Sequence, residues 1–211
     1  MRASMAGTAS DLGKFRGLTR ASDGYPKQLL SPQALVSNDL CVMGDVRLLH
    51  EPAIGVVSSR RIPGRLICEA HDWAETMKFS SRVVVGGFHS PMERECLRVL
   101  MRGRTRIVVC PARGIGKMRV PADWKPLIGS GRMTIVSGVE PGLRRSTEAL
   151  AAKRNALVAS LAETVLVVHA SPGSATERLA GELVRHGKKI VTFGGPENDR
   201  LLRLGAEIWD W

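Results

Sequence analysis

The reading of the fold turns on the stretch from Ala53 to Cys110, where AIGVVSS (Ala53–Ser59), RVVVGG (Arg82–Gly87) and TRIVVC (Thr105–Cys110) alternate with two segments of helical texture. Each of the three runs is dominated by β-branched residues and ends in small or polar ones, as a buried strand does where it enters a loop. Between the first two, Pro63 to Phe79 repeats apolar residues at Leu66, Ile67, Ala70, Trp73, Ala74 and Met77, the period of an amphipathic helix. Between the second and third, Ser90-Pro91-Met-Glu93 opens a helix running to Met101, with Ser90 as N-cap, Pro91 in the first turn and Glu93 closing a capping box. Strands separated by single helices pair in parallel through right-handed crossovers.

The same alternation continues outward. Met133–Ser137, Thr164–Ala170, Lys189–Phe193 and Glu207–Trp209 read as strands. Ser146–Leu161 and Ser174–His186 read as helices, with a short one near Asp199–Leu204. Pro111–Gly131 holds four Gly and three Pro and reads as a loop with one short helix around Ala122–Ile128. These elements predict a single α/β domain over residues 23–211, an open and mostly parallel sheet with helices on both faces. Residues 1–22 lack periodicity and read as a flexible basic tail.

Composition bounds the function classes. With 211 residues, 44% of them apolar, the chain can bury a sizeable core, which excludes general disorder. No apolar run reaches the 18 or so residues of a membrane span, and residues 1–10 contain no apolar signal-peptide region. The four cysteines (Cys41, Cys68, Cys96, Cys110) include no CxxC pair and read as reduced thiols, so a cytoplasmic protein is expected. Cys68 and His71 stand three apart without two further ligands nearby, so no metal site is expected.

Charge is more specific. Lys and Arg outnumber Asp and Glu by 31 to 20, a net charge of +11. Seven basic side chains and no acid lie between Cys96 and Ala122. Such an excess attracts polyanions, of which nucleic acid is the commonest in a cytoplasm, although a merely Arg-rich soluble protein has the same composition.

In an open parallel sheet the ligand sits outside the carboxyl ends of the strands. The candidate residues are therefore Ser58, Ser59 and Arg60 after the first strand, and Gly86, Gly87, Phe88, His89 and Ser90 after the second. Arg113 follows the third, and Gly173, Ser174 and Thr176 follow the strand at Thr164–Ala170. Two of these loops place glycine beside a capped helix start, Ser90 with Glu93 and Ser174 with Glu177, where backbone N–H groups could receive a phosphate. Phe88 is the best candidate for stacking on a base.

Arg154 is the sharpest local signal. It falls inside the apolar stripe Leu150, Leu157, Val158, Leu161 of its helix. A guanidinium on an inward stripe must be paired or must face a ligand, because an unpaired buried charge is too costly. Glu177 is the obvious structural partner; a bidentate phosphate is the functional one. No Walker A loop and no GxSxG elbow is present, which argues against nucleotide-driven work and serine chemistry.

Several motifs in order resemble the DprA/Smf family of DNA-processing proteins, a branch of the Rossmann-like superfamily shared with the LOG phosphoribohydrolases. They are Gly24-Tyr25-Pro26, Leu40-Cys-Val-Met-Gly44-Asp45, Ile54-Gly-Val-Val-Ser-Ser-Arg60, Gly86-Gly87, Cys110-Pro-Ala-Arg-Gly114-Ile115, Arg154-Asn155, the strand ending at Ala170, and Asn198 to Ala206. The resemblance implies a Rossmann-like fold and a non-catalytic protein without cofactor. It also implies a homodimer that binds single-stranded DNA or a nucleotide and hands DNA to a RecA-type recombinase. Its phosphate-contacting set would be Ser59, Arg60, Gly86, Gly87, Arg154, Asn155 and Gly173 to Thr176. Ser58 stands where the family has glycine. The LOG branch implies the alternative, a nucleoside monophosphate phosphoribohydrolase with Arg154 on the phosphate and Glu177 beside the ribose. Pro172-Gly-Ser-Ala-Thr176-Glu177 lacks two glycines of that branch's motif and is one residue shorter before Thr176. A nucleotide-sensing module is the third class.

Overall fold

A computed structural model describes residues 15–31, 34–36 and 38–210. Nine strands form one sheet: β1 (Arg16–Leu18), β2 (Leu40–Met43), β3 (Ala53–Val57), β4 (Val83–Gly86), β5 (Arg106–Val109), β6 (Met133–Ser137), β7 (Thr164–Val167), β8 (Lys189–Thr192) and β9 (Glu207–Ile208). Their spatial order is β1-β2-β6-β5-β4-β3-β7-β8-β9. From β6 to β9 every pairing is parallel; β2 runs antiparallel to β6 and β1 antiparallel to β2. The predicted open, mostly parallel sheet is therefore present, with an antiparallel extension at one edge.

That extension corrects the reading of the N-terminus. Arg16–Leu18, inside the stretch taken as tail, pairs with Leu40–Val42, and Leu18 is fully buried. Three-residue strands carry too little periodicity to be seen in sequence, and this one is fixed by its partner instead. The remainder of that tail, residues 1–14, lies outside the described residues.

Among the described residues six α-helices accompany the sheet: α1 (Gly64–Met77), α2 (Pro91–Met101), α3 (Lys125–Gly129), α4 (Glu148–Leu161), α5 (Ala175–Arg185) and α6 (Asp199–Leu204). One core lies under α1 and α2, centred on Trp73, Leu66, Leu100 and Ile107. The other lies under α4 and α5, where Leu157, Val158, Leu179 and Leu183 meet Val57, Val85 and Val165. All five residues of β3 are buried, as befits a central strand covered on both faces. The α3 helix starts three residues later than its spacing implies, because Pro126 is tolerated only in a first turn. No helix among the described residues is long and apolar enough to cross a membrane.

The order of strands fixes where a ligand can sit. From β3 the chain winds outward through β4, β5 and β6, then returns by α4 to place β7 on the other side of β3. The connections diverge at this point and open a crevice at the carboxyl ends of β3 and β7.

Candidate polyanion site at the carboxyl edge of the sheet

The α4 helix crosses β3 and β4 and carries Arg154 to the end of β4. Its first turns are exposed, and Arg154 is the first residue to be buried, at 7% exposure. The guanidinium packs closely against Gly87: a Cβ added there would stand 2.0 Å from Nη1 and 2.4 Å from Cζ. A side chain at position 87 would have to displace the guanidinium, whereas Gly86 faces the Phe88 ring and Val56. Beneath lies Cys110, whose thiol burial pushes up to about 12, with the charge of Arg154 pulling the other way.

Arg154 has no carboxylate partner among the described residues, and its buried Nε has no hydrogen bond. The expected structural partner is engaged elsewhere. Glu177 accepts from Arg200 Nε at 2.6 Å and from the Gly173 amide at 2.7 Å. Both contacts hold its carboxyl below the usual carboxylate range, the Arg200 bond first. The ion-pair explanation of Arg154 is thereby removed, and the charge faces whatever enters beside Gly87.

The amides behave differently from their sequence reading. The Glu93 carboxylate, 5% exposed, accepts from Ser58 N at 3.0 Å, His89 N at 2.8 Å and Ser90 N at 3.4 Å, while Ser90 Oγ accepts from Glu93 N. An internal carboxylate already occupies the donors that a phosphate was expected to find in the Gly86–Ser90 loop. The β7 loop is likewise tied in: Ser59 N donates to His169 O at 2.9 Å, and Ser171 N donates to Ser59 Oγ at 3.0 Å. The Ser59 hydroxyl also reaches Ser174 Oγ at 3.4 Å. Ser58, Ser59, Ser90, Gly173 and Ser174 thus knit the loops together, and these groups already have partners within the protein.

The charges of Arg154, Arg94 and Arg60 all act on His89. Its imidazole is exposed, and its pKa is lowered by partial desolvation first, then by Arg154, with Arg94 and Arg60 acting in the same direction and Glu93 opposing. Three positive charges therefore act on one imidazole and favour its neutral form. A phosphate bound among them offsets that field. The titration midpoint of His89, followed by NMR, is expected to rise when inorganic phosphate or an oligonucleotide binds, and binding strengthens as pH falls through the raised value. A midpoint that stays or falls would place the anion elsewhere.

Other expectations are corrected. Phe88 adopts φ +46°, turns inward and is 6% exposed, its ring lying against Gly86, so it offers no face to a base. Asn155, next to Arg154 in sequence, lies on a different side of α4, lining an open groove of about 1370 Å³ shared with α5 and α6. Glu177 lines that groove rather than the neighbourhood of Arg154. Thr176 is buried at the start of α5, and Arg113 is exposed after β5. On its other side Arg154 borders a small cavity with Val36, Asn38, Leu40, Pro111, Val139 and Lys153. Lys153 escaped the sequence reading because its helix position is exposed and only the approach of β2 and the β6 loop gives it neighbours.

An open doubly wound sheet with a buried arginine that no carboxylate among the described residues pairs, at its carboxyl edge, defines a Rossmann-like α/β protein. The chain belongs to the DNA recombination-mediator protein A family, whose profile matches residues 16–207. Solved structures give the same fold at low identity. DNA processing protein A (DprA) from Streptococcus pneumoniae superposes with a TM-score of 0.77 at 18% identity, over 95% of this chain and 73% of that one. DNA processing protein A from Helicobacter pylori gives 0.71 at 15% identity, over 92% and 89% of the two chains. The molybdenum cofactor binding protein of Rippkaea orientalis is more distant, with a TM-score of 0.53 at 11% identity over 75% and 88%. No curated protein matches the sequence.

Proposed function

We propose that this member of the recombination-mediator family binds single-stranded DNA through its phosphates, with Arg154 as the central contact and Arg60, Arg94 and His89 around it. The observation that carries the reading is a guanidinium at 7% exposure, pressed against Gly87 and lacking any carboxylate among the described residues. Family membership and the net charge of +11 support the same ligand. The Helicobacter pylori relative is described by its single-stranded DNA binding mode. The resemblance further supports a cytoplasmic homodimer that passes its strand to a RecA-type recombinase, acting without cofactor or turnover. Phosphoribohydrolase chemistry is disfavoured because Glu177, its required carboxylate, is held by Arg200 and the Gly173 amide.

Binding through phosphates releases counterions, so the affinity for a labelled oligothymidylate should fall with salt along a log–log slope of roughly −0.7 per phosphate held, about −2 for three contacts. A mononucleotide should compete weakly. An affinity insensitive to salt, or a mononucleotide binding as tightly as the oligomer, would sink the proposal.

A further inference from the structure

The helices of this fold run back against the strands, so α1 and α2 end together at the amino edge of β4 and β5, opposite the crevice. There Phe79 is 59% exposed. Lys78 Nζ lies 5.1 Å from its ring centroid and Arg104 Cζ 5.9 Å. The two turns that carry these residues are locked to each other. The amides of Arg104 and Thr105 donate to Lys78 O at 2.7 and 3.0 Å, and Thr105 Oγ1 donates to Met77 O at 2.5 Å and Ser80 O at 2.9 Å. Gly103 makes this contact possible, since a Cβ there would stand 2.1 Å from Lys78 O. The ring is held on a rigid base.

Charge surrounds it unevenly. Lys78 and Arg102 share Glu75, Arg106 pairs with Glu51, and Arg82 reaches Glu163 at 3.8 Å. Arg104 has no carboxylate partner among the described residues. Phe79 is also the one large apolar residue exposed between residues 78 and 106 among those described. No other large apolar side chain of this stretch adds to the ring, so the stretch by itself offers no broad apolar patch for a protein interface or for insertion into lipid. A single ring flanked by cations instead matches a nucleobase bracketed by its own phosphates.

We infer that the α1–α2 end of the molecule is a second contact for single-stranded nucleic acid, with Phe79 stacking on a base and Arg104, the cation beside the ring that no carboxylate among the described residues engages, meeting an adjoining phosphate. The inference rests on the proposal that the chain binds single strands. It adds that a long strand reaches from the crevice to the opposite edge, a separation of roughly 17 Å along the sheet, the length of a five-residue strand.

The test is fluorescence anisotropy with an oligothymidylate of about 30 nucleotides, longer than one site occupies. Phe79→Leu and Arg104→Ala are each expected to weaken binding roughly tenfold, while Phe79→Tyr, which keeps the ring, binds like the unaltered protein. Both positions are exposed, and an unchanged urea midpoint confirms that the variants fold. If Phe79→Leu binds like the unaltered protein while Arg154→Met does not, the second contact is refuted and the crevice stands. If Phe79→Leu loses affinity and Arg154→Met does not, the second contact stands and the crevice reading fails. A Tyr variant as weak as the Leu variant refutes stacking, and the absence of any oligonucleotide binding refutes both sites.

Discussion

Arg154→Met is expected to weaken oligonucleotide binding by roughly 100-fold, about 3 kcal/mol, the usual cost of truncating one member of a desolvated charge pair. It is also expected to leave the fold as stable as before or to raise its stability by about 1 kcal/mol. The reason is that, without ligand, the fold carries a guanidinium with 7% exposure and no compensating carboxylate among the described residues. Met keeps much of the volume and removes the charge, so the desolvation penalty disappears together with the phosphate contact. Urea midpoints and anisotropy titrations on the same preparations measure the two effects. A stability loss of several kcal/mol with binding intact would show that Arg154 serves the fold. Gly87→Ala should reproduce the binding defect from the other side, because the new methyl group displaces the same guanidinium.

The second large effect concerns stability. Glu93→Ala is expected to cost about 4 kcal/mol, since it strands the Ser58, His89 and Ser90 amides at once and each orphaned donor costs about 1–3 kcal/mol. Against a typical total of about 5–15 kcal/mol this leaves a marginal protein, visible as a large fall in the urea midpoint. Glu93→Gln should fall between, because one oxygen still accepts while the new NH2 group meets a donor. A cost under about 1 kcal/mol for Glu93→Ala would mean that water replaces the carboxylate and that the loop amides are open to ligands after all.

How far the sequence led can be judged residue by residue. The α2 helix is Pro91–Met101 in both readings, because Ser90, Pro91 and Glu93 fix its start through contacts three residues apart. The β6 strand also keeps its bounds, Met133–Ser137. What Glu93 does beyond its own helix was hidden: its bond to Ser58 joins residues 35 apart, and no local pattern records it. Phe88 misled for a similar reason. Its neighbours promised an exposed glycine loop, but a positive φ folds its ring into the core.

The alternation of β-branched runs with amphipathic helices was enough by itself to determine a doubly wound sheet, and chain order then dictated its carboxyl edge as the place for a ligand. Those features follow from periodicity, capping and the handedness of crossovers, all of which act over short separations. Tertiary structure alone decided that β1 and β2 extend the sheet antiparallel, that Glu93 fills the loop amides, and that Glu177 turns to Arg200 and leaves Arg154 unpaired. Pairing between charges and amides depends on which side chains arrive from distant segments, and that is settled only when the whole chain has closed around them.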